Sequence, residues 1–110
     1  MIKLTGAKNV RNLELKNPKL RNSENRIFRK GKSPTYEFKN GNIVNLVDLY
    51  SNARLGNARI IESRYRRFDN LEDVDLEFSC EGIFGAGQLI NELKIERKDF
   101  ISIITFIICP

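Results

Sequence analysis

The apolar pattern of this chain points to an α+β domain in which an antiparallel sheet carries one or two helices. Three features argue for it. Residues 71–80 alternate apolar with acidic or polar side chains at the period of a half-buried strand, residues 100–108 form a β-branched and aromatic run, and apolar residues within 43–54 and 86–97 recur at helical spacing.

Residues 1–33 form a basic segment, with ten Lys/Arg against Glu14 and Glu24. Alternation at Val10, Leu13 and Leu15 predicts a strand at a sheet edge. Pro18 and the polar tract from Arg21 to Arg26 predict an exposed loop after it. Met1–Lys8 has no continuous apolar stretch, so no secretory leader is expected there. Thr35–Lys39 reads as a strand ending at Asn40-Gly41. Ile43, Leu46, Val47 and Tyr50 then fall at i, i+3, i+4 and i+7, which predicts a helix over 43–54, with Asn42 as its cap and Gly56 just beyond it. A Thr35–Tyr50 hairpin turning at Asn40-Gly41 is the competing reading.

Residues 58–81 predict a hairpin. With Asp69-Asn70 as a two-residue loop, Tyr65 faces Val74, Ser63 faces Leu76 and Ile61 faces Phe78 on one side of the pair. The other side sets Arg64 against Asp75 and Arg66 against Asp73, so both faces agree with one register. The glycines of Gly82–Gly87 mark a turn, since they match neither GxGxxG nor GxxxxGK[ST]. Ala86, Leu89, Ile90 and Leu93 favour a helix over 86–97, although Glu92–Glu96 also alternates like a strand. Phe100–Ile108 is expected to be a strand covered on both faces. In order, residues 35–108 then read β-α-β-β-α-β, a ferredoxin-like arrangement with an additional N-terminal strand. That reading leaves a tension, because the last strand looks central where such a topology places it at an edge.

With 110 residues, 41% hydrophobic and 30% charged, residues 1–110 fit a single domain. The apolar run Phe100–Cys109 is about half of the roughly 20 residues a membrane-spanning helix needs, so a cytoplasmic protein without membrane contact is expected. Cys80 and Cys109 lie among apolar neighbours and read as reduced core thiols. The chain has no histidine and no CxxC, so no metal or cofactor is expected. Triads that depend on histidine are excluded, and no other catalytic set stands out. Asp73, Asp75 and Glu77 read as an outward, arginine-paired face rather than an acid/base site.

Charge is divided along the chain. Residues 1–67 hold sixteen Lys/Arg and five Asp/Glu, a net of +11, whereas residues 68–110 hold three and nine, a net of −6. The division implies an anionic partner, internal pairing of the halves, or both. The preferred function is a non-enzymatic protein-binding module, of an inhibitor, immunity or accessory type, that masks a partner bearing an acidic patch. Arg29, Lys30, Tyr36, Arg64 and Arg67 are its candidate contacts. Heavy use of Asn, Ile and Lys fits an AT-rich bacterial or phage gene. The alternative is an RNA- or single-stranded-DNA-binding domain, or a nuclease that works without histidine. Its phosphate contacts would be Arg26, Arg29, Lys30, Lys32 and Lys39, with Phe28, Tyr36 and Phe38 able to stack on bases. Against it, Val74–Phe78 is acidic where a ferredoxin-like RNA-binding sheet would carry a Lys/Arg-Gly-Phe type motif.

Overall fold

The computed structural model describes residues 10–110, so the reading of Met1–Lys8 lies outside the described residues. Its strands are β1 (Arg11–Leu15), β2 (Glu24–Lys30), β3 (Ile43–Asp48), β4 (Arg54–Arg67) and β5 (Phe100–Ile108). Two α-helices, α1 (Ser33–Glu37) and α2 (Ala86–Leu93), and two short 3-10 turns, Phe68–Asn70 and Asp73–Leu76, are the other elements among the described residues. One five-stranded sheet runs in the order β1-β3-β4-β5-β2. It is mixed, because β1 lies parallel to β3 while the other neighbours are antiparallel. The domain is therefore α+β, but its order is not ferredoxin-like.

The sheet curls. β4 pairs with β3 through its first half and with β5 through the rest, and irregularities at Leu46/Val47 and Ile60/Glu62 bend it between the two. Gly56, at φ 132, supplies a conformation that residues with a Cβ rarely adopt. Curling brings the outermost strands together. Arg29 on β2 donates to the Glu14 carbonyl on β1 at 2.7 Å and holds Glu81 with two hydrogen bonds of 2.6 and 2.9 Å. Glu81 in turn accepts the Lys16 N–H at 2.6 Å. The outer edge of β2 is covered as well, since Arg26 exchanges backbone bonds with Phe78 and Cys80.

Alternation on the strands builds two cores, one on each face. Leu13, Leu15, Ile27, Val44, Leu46, Ala58, Ile60, Ile104 and Phe106 fill the inside of the curl, plugged by Phe38 and Cys80. On the opposite face Phe28, Ile101 and Ile103 meet Leu89 of α2 together with Phe68, Ile83 and Ile95. Residues of β5 serve both cores, as its lack of polar relief predicts. It lies between β4 and β2, so its central look is correct and the edge position implied by the ferredoxin order is not.

Several expectations change. Thr35–Lys39 is not a strand: Pro34 in the first turn presets helical φ, and the segment closes as α1. Residues 43–54 are not a helix. Val44 and Leu46 alternate into the core while Ile43 and Tyr50 stay exposed, and β-branched Ile43, Val44 and Val47 suit the pleated surface. The strand ends where the Asp48 carboxylate accepts the Ser51 N–H and hydroxyl, both at 2.8 Å. The competing Thr35–Tyr50 hairpin is also absent, because β3 pairs with β1 and β4.

The 58–81 hairpin does not form either. Tyr65 faces Ser102 on β5 rather than Val74. Glu72 and Asp75 close a reciprocal capping box around Asp73–Leu76, and local side-chain bonds of this kind compete with a sheet ladder. Phe78, at φ 65, then breaks any extension. β5 is the stronger partner because it buries an uninterrupted apolar run. The strand expected at β1 is present at a sheet edge, while the polar tract beside it enters β2, whose Asn25 is buried and bonded to Arg21 and Ser23. The glycine-rich junction is a turn, with Gly82 at φ 80. The helix expected over 86–97 ends at Leu93, where Lys94 takes a left-handed cap and Ile95 folds back to donate its N–H to the Ile90 carbonyl.

Candidate functional site

The inner face of the sheet continues past its core. Ser102 marks the transition: it accepts from the Thr35 hydroxyl at 2.6 Å and donates to the Gly31 carbonyl at 2.5 Å, which fixes the start of α1 against β5. Beyond it the face carries Tyr65 opposite Ser102, and Arg67 opposite Phe100. The rings of Tyr65 and Phe100 stack with centroids 4.9 Å apart. Lys32, just before α1, sets its ammonium 4.6 Å from the centre of the Tyr36 ring and 5.9 Å from that of Tyr65, both within cation–π reach. The neighbouring Tyr36 raises the Lys32 pKa above its usual value.

This cluster is open to water. Tyr36 is 59% exposed, Tyr65 37% and Phe100 44%. Three aromatic rings left together at the surface form an exposed apolar patch of the sort that marks a contact site. Its rim is charged: Arg67, opposite Phe100, grips Asp69 with two hydrogen bonds of 2.7 Å. The guanidinium lowers the Asp69 pKa.

Of the residues singled out from the sequence, Lys32, Tyr36 and Arg67 come together here, whereas Lys30, paired with Ile101, lies on the opposite face of the sheet, 4.0 Å from Asp99. The others are elsewhere. Arg29 closes the curl through Glu81. Arg26 is buried, donating to the Thr105 hydroxyl at 2.9 Å and to the Val74 carbonyl at 2.8 Å. Arg64 pairs with buried Asp75 at 2.5 Å, and its Nε stands 3.1 Å from Glu62 in an orientation that makes no hydrogen bond. Lys39 sits in the turn after α1, and Phe28 and Phe38 belong to the two cores. The Arg64–Asp75 pairing expected from the sequence is real, but it arises from a 3-10 turn laid over the sheet. Arg66 also reaches Asp75, at 3.8 Å. Burial pushes the Asp75 carboxyl up; the Glu72 N–H and Arg64 outweigh it, and its pKa lies below the usual aspartate value.

Tyr65 and Phe100 are the patch residues that the sequence did not single out. Tyr65 falls between Arg64 and Arg66 and reads as the partner of Val74 on the apolar face of a hairpin, and Phe100 reads as the first residue of a buried run. Only the true β4–β5 register, which runs both strands beyond the core, leaves them outside. Among the described residues no three His, Cys, Asp or Glu side chains converge in a way that could hold a metal ion, and no helix is long and apolar enough to cross a membrane. No protein-family model, curated protein or solved structure matches the chain.

Proposed function

We propose that this chain is a non-enzymatic protein-binding module that acts by covering part of a partner protein, anchored by Tyr36, Tyr65 and Phe100. One observation carries the reading: three aromatic rings, cross-braced by Lys32, stand exposed at the end of β4, at the start of β5 and in α1. Aromatic anchors within a charged rim are the usual anatomy of an interface hot spot. Lys32 and Arg67 favour a partner with acidic residues around an apolar depression, and they act mainly on the rate and register of docking.

Nucleic acid is the less favoured ligand for this surface. Arg26, Arg29 and Arg64 are engaged internally, and Asp69 stands beside one of the two rim cations. The remaining positive field is small for a phosphate track.

The test compares wild type with a Tyr36→Ala/Phe100→Ala variant in affinity capture followed by gel filtration. A stoichiometric partner held by the wild type and lost by the variant is expected. If no such partner is recovered, or if both proteins retain it equally, the reading fails. Tight binding of a short single-stranded oligonucleotide that collapses as salt rises would put the nucleic-acid reading in its place.

A further inference from the structure

A second surface lies where residues 71–79 meet the start of α2. Two open hollows of about 490 and 360 Å³ adjoin there and share Asp73, Leu76 and Ala86. Phe84 stands at the rim and is 77% exposed. It is not on a loose loop. Its N–H donates to the Gln88 side chain at 2.8 Å, Gln88 donates back to the Gly82 carbonyl at 3.1 Å, and the neighbouring Ile83 is buried with its N–H on Ser79 at 3.1 Å. The turn therefore holds an aromatic ring out toward water.

The opposite wall is strained. Phe78 takes φ 65, a conformation that costs a bulky residue about 1–3 kcal/mol and survives only where its surroundings impose it. Its ring lies under the guanidiniums of Arg21 and Arg26, 5.4 and 5.5 Å from its centre, and its carbonyl is bonded to the Arg26 N–H. Charge supplies the third observation. Glu72, Asp73 and Glu77 line the hollows, and among the described residues none of them takes part in an ion pair. Arg21, on the Phe78 ring, and Arg97 are the cations of the lining, so the balance is negative.

The geometry points to this groove as a docking surface for a basic segment of a partner protein, one in which Lys or Arg side chains flank a bulky apolar residue. The apolar residue packs on Phe84 and Leu76, and the cations meet the three carboxylates. Nucleic acid would bring phosphates against those carboxylates. The groove shares Asp69 with the rim of the Tyr36, Tyr65 and Phe100 patch but none of its aromatic residues, and the variants tested on each surface do not overlap.

The probe is a short synthetic peptide alternating arginine with leucine, titrated into the isotope-labelled chain while amide shifts are followed. Saturable shifts confined to residues 72–79 and 84–88 are expected. Phe84→Ala should weaken binding about tenfold, equivalent to about 1.4 kcal/mol, and an Asp73→Asn/Glu77→Gln variant should bind more weakly with a flatter dependence on salt. These side chains are exposed, so the variants should melt with the wild type. The inference is overturned by shifts centred elsewhere, by unchanged affinity in Phe84→Ala, by equal binding of a glutamate–leucine peptide, or by no saturable binding.

Discussion

The thiol of Cys80 sits between β2 and the inner core, and burial, reinforced by the neighbouring Glu81 carboxylate, pushes its pKa up to about 12. A thiol held protonated and out of solvent is a poor nucleophile. Cys109, past the end of β5, is half-buried and also free. Ellman's reagent should therefore label one cysteine of the native protein at neutral pH, Cys109, and reach Cys80 only after denaturant is added. Rapid labelling of both, checked by peptide mapping, would contradict the burial of Cys80. The apolar neighbours of Cys80 in the sequence already indicate its environment. That Phe78, two residues earlier, adopts a left-handed backbone is not legible there, because no glycine or asparagine marks it. Its conformation follows from β2 and Arg26 fixing the segment from outside.

Among the elements, β5 is the most legible and β3 the least. A run such as Ile101–Phe106 has one stable use in water, as a strand covered on both sides, whatever its partners are. β3 carries apolar residues at positions that satisfy a helical period and a strand period together, and only the vacant place between β1 and β4 decides between them. Ile103, fully buried under α2, should tolerate no charge. Ile103→Lys places an unpaired ammonium in an apolar layer, a cost of several kcal/mol against a typical total of about 5–15, and circular dichroism should show a largely unfolded chain. The closure of the curl makes a finer prediction. Arg29 and Glu81 link β1, β2 and the 79–81 segment, with the Glu81 side chain buried. Arg29→Ala or Glu81→Gln alone should each cost about 2–4 kcal/mol, because each leaves a buried charge or its polar partners uncompensated. In a double-mutant cycle from urea unfolding the two changes should couple by about 1–3 kcal/mol. Additivity would mean that the pair does not hold the sheet closed.

At the level of the whole molecule, the division of charge between the halves is resolved largely inward. Among the described residues, five of the seven ion pairs join a cation from residues 1–67 to a carboxylate from residues 68–110: Arg29–Glu81, Lys30–Asp99, Arg64–Asp75, Arg66–Asp75 and Arg67–Asp69. The asymmetry was visible in the sequence, but its partners were not, since they depend on which strands β4 chooses. Internal pairing of this kind makes the fold sensitive to acid in a definite direction. Asp75 and Asp69 have pKa values below the usual aspartate value of 3.8. A carboxyl with a depressed folded pKa binds protons more readily when unfolded, so its stabilisation is complete above the unfolded value and is lost as pH falls through the folded one. Asp75 should dominate, because its side chain is buried beneath Arg64 and Arg66 whereas Asp69 stands in solvent-screened contact with Arg67. Urea midpoints measured downward from pH 6 should stay level until pH approaches 4 and then drop. Asp75→Asn should lie roughly 3 kcal/mol lower at neutral pH, at the low end for a broken buried pair because Arg64 keeps some water. Its curve should also be flatter in the acid range, since the principal titrating group has been removed. Parallel curves for the two proteins would show that acid lability comes from another group and that the Asp75 pairing does not join the two halves.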